Sequence, residues 1–225
     1  MRLRSRPTHL LLCLALVVPL LGSLFPSCPR SPETVARPPT AAPRAPDPEP
    51  ESAARQSASV AAPCRQIVRI EIWKSSRRLR ATCDDGGDLV MTVAIGRGED
   101  DAKEESGDAR TPEGRYAVAG PARASRFHLF IPIDYPSVAD AERGLSAGIV
   151  DATTHARILD AHAAGELPPQ DTALGGSIGL HGEGTRWQGE TERSDWTLGC
   201  IAVSDDEIER LAESVAVGVP VWIHP

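Results

Sequence analysis

Between Gln66 and Trp73 apolar and polar residues alternate in part, through Ile67, Val68, Arg69, Ile70, Glu71 and Ile72. That is the pattern of a strand with one buried face. Lys74-Ser75-Ser76 predicts a turn, and Arg77 to Cys83 returns as a second strand through Leu79 and Ala81. Asp84-Asp85-Gly86-Gly87 predicts a second turn, and Leu89 to Ile95 a third strand, so the domain opens as a β-meander. Gly96 to Gly107 is polar and acidic and reads as a surface loop. Thr111-Pro112-Glu113-Gly114 predicts a tight turn into a strand over Arg115 to Val118, and Phe127 to Ile133 predicts another strand. Helical patterns come mainly later. Ser137 to Leu145 is a short candidate. Thr153 to Leu167 is a longer one, with Ile158 and Leu159 apolar and Thr153 or Thr154 as cap. Ser177 to His181 predicts a short strand. Ser204 with Glu207 three residues on forms a capping box for a last helix, whose inner face carries Ile208, Leu211 and Ala212. Val219 to Ile223 closes the chain as a strand. The expected class is mainly β, with a few helices packed on it.

The pattern changes upstream of Cys64. Arg2, Arg4 and Arg6 precede a mostly apolar run, Leu10 to Phe25, broken by Pro19. This run is short for a spanning helix and suits an export signal over residues 1–28, with an uncleaved N-terminal anchor as the alternative. Ser27-Cys28 at its edge leaves lipoprotein processing at Cys28 open. Either way the domain is expected outside the cytoplasmic membrane, in the periplasm or cell envelope. Residues 29–63 hold nine Pro and nine Ala and predict an extended, disordered tether. The folded domain is expected over residues 64–225, long enough for one core.

Charge narrows the partners. The 225-residue chain carries 24 Lys+Arg against 31 Asp+Glu, a net charge of −7. From Cys64 onward the count is 17 basic and 27 acidic residues, or −10. Nucleic-acid binding needs a basic face, so it is excluded as an expectation, as is electrostatic docking to anionic lipid. A membrane tether through the N-terminus stays possible. Aromatic residues are only 4% of the chain, which leaves few stacking platforms. Export implies oxidising conditions, under which Cys64 and Cys83, flanking one predicted hairpin, could bridge if their strands fall in register, which the sequence leaves open. Cys200 is then the leftover thiol, either inert and buried or kept for chemistry.

One constellation concentrates chemistry: Ile178-Gly179-Leu180-His181-Gly182, then Thr197-Leu198-Gly199-Cys200-Ile201. A thiol attacks as thiolate, and a neighbouring imidazole can take its proton. Gly199 permits close backbone approach, and the N–H groups of Gly199 and Cys200 are candidates to receive an oxyanion. A third group must orient His181; the Gly182 carbonyl and the Asp195 carboxylate are the two candidates. On spacing alone, a Cys and a His 19 residues apart are more commonly a buried thiol and a satisfied histidine.

The wider sequence resembles the L,D-transpeptidase catalytic domain, the YkuD-type family. His-Gly followed by Ser/Thr-x-Gly-Cys-Ile/Val is similar to that family's catalytic signature. Thr111-Pro112-Glu113-Gly114, the run from Ser125-Arg126-Phe127-His128 to Asp134-Tyr135-Pro136, Leu174-Gly175-Gly176 and Gly218-Val219-Pro220-Val221 resemble further family features. The likeness covers roughly Gln66 to Ile223. It implies a YkuD-type β-sandwich, a Cys200 nucleophile with His181 as base, a peptidoglycan stem-peptide substrate and no cofactor. Two positions depart from the pattern. Ala202 stands where many members carry Arg to meet a substrate carboxylate, and Leu198 stands where a polar residue is common. Some branches share the Gly-Cys-x-Ala form, and at least one is thought to cleave wall-linked amides. Transpeptidation, thiol hydrolysis (carboxypeptidase or amidase) and a non-catalytic wall-binding module therefore remain three readings.

Other residues carry two readings each. His128 is a substrate contact or a strand-edge residue. Tyr135 lines the cleft or belongs to an ordinary turn. Thr197 and Trp196 are candidate substrate contacts, and Trp187 with Trp196 forms a lid wall or anchors a loop. His155 and His162 share a helix face, but with no third ligand nearby no metal site is expected. The acidic run Glu99-Asp100-Asp101 and Glu104-Glu105 is a solvated loop or a cap on the cleft. The sequence leaves the oligomeric state open.

Overall fold

Three isoleucines set the first strand, and a bulge spaces them. The computed structural model describes residues 64–98 and 100–225; Glu99 and residues 1–63, with the expected signal, Cys28 and the tether, lie outside the described residues. In chain order the strands are β1 (Ile67–Trp73), β2 (Arg78–Cys83), β3 (Asp88–Thr92), β4 (Gly114–Ala117), β5 (Arg123–Ser125), β6 (His128–Pro132), β7 (Gly179–His181), β8 (Ile201–Ala202) and β9 (Pro220–His224). The helices are α1 (Val138–Ser146), α2 (Ala152–Ala164) and α3 (Asp205–Ser214). Ile67, Ile70 and Ile72 of β1 are fully buried. The pairing of β1 with β2 shifts between Ile67 and Arg69, so the inward spacing is three residues and then two. This is why alternation is only partial in the sequence.

The strands form two sheets. One has the order β3-β2-β1-β9-β4, and the other β5-β6-β7-β8. The expected meander is present as antiparallel β1, β2 and β3. The C-terminal strand β9 returns between β1 and β4, parallel to the first and antiparallel to the second. Ile70, Ile72, Leu79, Ile131, Leu180, Ile201 and Val221 are fully buried and meet in one core with residues of both sheets. Burying each such side chain contributes about 1.5–3 kcal/mol. The chain beyond β3 joins the second sheet's β8 side, with Ala94 bridged to Ala202 and Gly96 to Thr197. The fold is thus mainly β, with three helices among the described residues.

Of the two caps that the sequence predicts, the one on α3 is present and the one on α2 is displaced, while α1 has a box that was not predicted. Ser137 and Asp140 form a capping box on α1. On α3, Glu207 accepts from the Ser204 N–H at 3.0 Å and its hydroxyl at 2.8 Å. On α2 the cap is Asp151, which accepts from Thr154 N–H at 2.7 Å, instead of Thr153 or Thr154. A carboxylate is the better acceptor at a helix N-terminus. The same helix stops at Ala164 because Gly165 takes the left-handed conformation at φ 69°, so Leu167 lies beyond it. Thr111 to Glu113 is extended chain leading into β4 and forms no turn; buried Thr111 Oγ1 accepts from Gly96 N–H. β5 has three exposed residues and no apolar alternation, so the sequence carried no signal for it. Among the described residues no helix is long and apolar enough to cross a membrane.

Cys64 and Cys83 are joined, with Cα atoms 5.6 Å apart. The bridge ties the start of the domain to the end of β2. Closing a loop with a sequence separation of 19 stabilises by about 3 kcal/mol through the unfolded chain.

Candidate active site

β7 is three residues long, and all three are buried. Leu180 faces the core, so alternation turns Gly179 and His181 to the opposite face. β8 pairs with it in parallel, Leu180 opposite Ile201 and His181 opposite Ala202. One step back in that register sets Cys200 beside Gly179, on the same face as His181. Strand spacing and rise then put the two Cα atoms about 8 Å apart on a diagonal, within reach of an imidazole and a thiol. Gly179 itself admits no side chain: a Cβ there would fall 2.7 Å from Phe130 Cζ and closer still to Ile131 O.

His181 is held by one hydrogen bond and two rings. Its Nδ1 lies 2.6 Å from the Gly182 carbonyl. A carbonyl only accepts, so Nδ1 carries the proton and Nε2 of the neutral ring is left to accept one. The Phe127 ring stacks on the imidazole at 4.4 Å and 20°, and Trp196 meets it edge-on at 5.4 Å. Trp196 in turn stacks on Trp187 at 4.7 Å. Burial lowers the affinity of His181 for a proton; the Gly182 bond opposes this, and the charge of Arg126 adds to it.

The Cys200 thiol donates to the Ser177 carbonyl at 3.4 Å. Burial pushes its pKa up to about 11, against the pull of the Gly179 N–H and the charges of Lys103 and Arg126. Burial thus favours the neutral thiol beside a neutral imidazole, because desolvation outweighs the nearby charges.

The turn before Cys200 is built by Thr197. Its Oγ1 accepts from Gly199 N–H at 3.1 Å and donates to the Cys200 carbonyl at 2.7 Å. Backbone bonds from Thr197 N–H to Ile95 O and from Arg97 N–H to Thr197 O fix the turn to the strand extension. Gly199 sits at φ 127°, and a Cβ there would come 2.7 Å from Arg110 O. Its close approach is to protein backbone, and its N–H is engaged by Thr197. Of the two candidate oxyanion donors, the Cys200 amide is the one that this turn does not use.

The remaining sequence candidates separate. Gly182 supplies the carbonyl that orients His181. Asp195 does not: its carboxylate binds Arg77 at 2.6 and 2.9 Å and accepts from Ile95 N–H at 3.0 Å, which anchors the turn to the first sheet. His128 turns to Glu209 of α3 at 2.7 Å. Tyr135 is buried, and its hydroxyl donates to Leu174 O at 2.8 Å beside a cavity of about 250 Å³. Burial raises its pKa, so it stays a neutral packing group. Thr197 braces the turn before Cys200, and Trp196 packs on the His181 imidazole. In the acidic loop, Asp100 pairs with Arg77 at 2.8 Å.

Residues that no sequence motif marks complete the frame. Asp205 Oδ1 accepts from Glu183 and Gly184 N–H at 2.8 and 2.9 Å, pinning the segment after His181 to the start of α3. Buried Glu183 accepts from Gly189 and Thr191 N–H and shapes the next loop. No sequence spacing announces these bonds, since each joins a side chain to backbone amides.

The family model for the L,D-transpeptidase catalytic domain matches residues 67–223. The chain belongs to this family. Solved structures similar to this L,D-transpeptidase domain include one from Xylanimonas cellulosilytica, 17% identical, with a TM-score of 0.39 over 71% of this chain and 61% of that one. Another, from Mycobacterium tuberculosis, is 15% identical, with a TM-score of 0.42 over 71% of this chain and 58% of that one. The chain thus spans about three fifths of the length of those structures. No curated protein matches it. At position 202 this member of the family has a fully buried alanine, packed with Ala94 and Trp196.

Proposed function

We propose that this domain transfers acyl groups between peptidoglycan stem peptides by L,D-transpeptidation, through a thioester on Cys200. The observation that carries the reading is the His181 Nδ1 bond to the Gly182 carbonyl. It frees Nε2 as the acceptor on the sheet face that Cys200 shares. As Sγ attacks the donor carbonyl, its proton passes to Nε2 and a carbon–sulfur bond forms. The Cys200 N–H receives the developing oxyanion. The carbon–nitrogen bond then breaks, and the imidazolium gives its proton to the amine of the departing D-residue. An acceptor amine next attacks the thioester and loses a proton to Nε2, and sulfur leaves and recovers that proton. The cycle starts from, and returns to, a neutral thiol and a neutral imidazole, the forms that burial favours.

An exported setting suits this substrate, and the Cys64–Cys83 bridge supports it, since such bonds persist under oxidising conditions. Hydrolysis is the second reading. Fully buried Ala202 places no cation at the position two residues after Cys200. Water in place of the acceptor amine gives a carboxypeptidase or an amidase. The test is mass spectrometry of products from tetrapeptide and cross-linked muropeptides, with the chain and its Cys200→Ala variant. Cys200-dependent dimers or exchange of the terminal D-residue support transpeptidation. Cys200-dependent shortening without new bonds selects the hydrolase. Products unchanged in Cys200→Ala would remove the thiol mechanism altogether.

A further inference from the structure

The turn between β5 and β6 is two residues, Arg126 and Phe127, and it reaches the catalytic histidine. Phe127 stacks on the His181 ring at 4.4 Å, and the Arg126 guanidinium lies 4.6 Å over the Phe127 ring. The turn is clamped in place. A Cβ on Gly184 would fall 2.5 Å from Arg126 O, and one on Gly182 would fall 2.9 Å from Phe127 O. Backbone this close on both sides fixes the turn, and with it the root of the Arg126 side chain and the Phe127 ring that stacks on His181.

The charge at this place has no internal use. Arg126 is exposed, and among the described residues no acidic side chain pairs with it. Arg77 is paired with Asp100 and Asp195, Arg80 with Glu71 and Arg143 with Asp140; Arg115, Arg123 and Arg186 lie over aromatic rings as Arg126 does, but the ring under Arg126 is the one that stacks on His181. Lys103, the other cation felt at Cys200, is buried and bound to Asp108 at 2.6 Å, so its charge is already answered. Ala202 leaves no cation on the floor of the site.

We propose that Arg126 is the carboxylate anchor of the acyl-donor site, a guanidinium held on Phe127 beside His181 that binds an anionic group of the peptide as Cys200 attacks it. This rests on the acyl-transfer reading and narrows its substrate to donors carrying a carboxylate near the scissile bond. A planar guanidinium offers such a group two parallel N–H donors, which fixes orientation as well as charge. No bond changes at Arg126; it positions the donor for the chemistry at sulfur.

The test compares two alkylating probes of one thiol, anionic iodoacetate and neutral iodoacetamide. Rates are read at the Cys200 peptide by mass spectrometry, for the full chain and for Arg126→Gln, Arg126→Lys and Arg123→Gln. Taking the ratio of the two rates cancels any change in the reactivity of the thiol itself. Arg126→Gln is expected to lower the iodoacetate-to-iodoacetamide ratio about 3- to 5-fold, the effect of one unit charge a few ångströms away in a wet site. Arg126→Lys should keep most of it. Arg123, stacked on Phe130 instead, should leave the ratio unchanged when replaced. An unchanged ratio in Arg126→Gln, or an equal fall in Arg123→Gln, overturns the proposal. Turnover of a stem tetrapeptide and of its C-terminal amide separates this from the broader reading. If the chain turns over neither peptide while the ratio still falls, the carboxylate anchor stands and the stem-peptide substrate is wrong. If it turns over both equally, and Arg126→Gln slows them equally, the anchor is wrong and acyl transfer stands.

Discussion

At the scale of single residues, His181 and Cys200 are each pushed by burial towards their neutral forms. This fixes the expected pH dependence. The base works only while unprotonated, so kcat/KM should fall as pH drops through the His181 pKa. Burial places that pKa below the ordinary histidine value, so the acid limb lies below about 6.5. The alkaline side should stay flat to about pH 10, because the thiol ionises only near 11. A kcat/KM profile with an acid limb at pH 7 or above would contradict the buried neutral imidazole. Thr197 offers a second residue-scale test. Thr197→Val removes both Oγ1 bonds and leaves Gly199 N–H without its acceptor. The expected cost is about 1–3 kcal/mol in chemical denaturation, with slower turnover. The proposed pair, Cys200 and His181, was visible in the sequence through the family resemblance of its two motifs, since spacing alone marks no such pair. Arg126 and Asp205 were not, because their roles come from contacts across the fold.

At the scale of elements, the two short parallel strands β7 and β8 bring the pair together, and α3 holds the segment that follows β7. Asp205 does this through two backbone amides. Asp205→Ala should therefore lower kcat more than it lowers thermal stability, read by comparing turnover with the unfolding midpoint. An equal fall in both would make Asp205 an ordinary structural residue. Gly182→Ala should be worse, since a Cβ at that position would clash with Asp205 Oδ1. Strands with apolar alternation and the helix with a Ser-x-x-Glu box could be read directly. The three-residue β5 could not, because it exposes every side chain. The cap of α2 lies two or three residues before the expected Thr153 or Thr154 because Asp151, Thr153 and Thr154 all carry an oxygen able to accept from the helix end; geometry, not composition, decides which one faces the free amides.

For the whole molecule, one covalent tie and two sheets frame the site. The bridge joins Cys64 at the domain's start to Cys83 at the end of β2, and Cys200 stays free of it. Replacing Cys64 and Cys83 by Ser should lower stability by about 3 kcal/mol. For a domain of about 160 residues that is a fall of roughly 6–12 °C in Tm, with turnover unchanged at low temperature. Calorimetry and an assay at 15 °C check both parts, and loss of activity in the still-folded variant would show that the bridge reaches the site. The mainly β class was legible because the core strands announce themselves, whereas the Cys64–Cys83 pairing was open in the sequence because it depends on the register of the two strands. The insertion of β9 between β1 and β4 was not legible, since a C-terminal apolar run carries no mark of its neighbours. The central claim, acyl transfer through Cys200, is tested most directly by trapping the intermediate. The chain is mixed with a stem tetrapeptide and no acceptor, quenched in acid, and weighed intact. The predicted result is an added mass equal to the tetrapeptide less the free terminal amino acid, which is the tripeptide less water, mapped to Cys200 and missing from Cys200→Ala. Turnover of the tetrapeptide that persists in Cys200→Ala, or an adduct on any other residue, would contradict it.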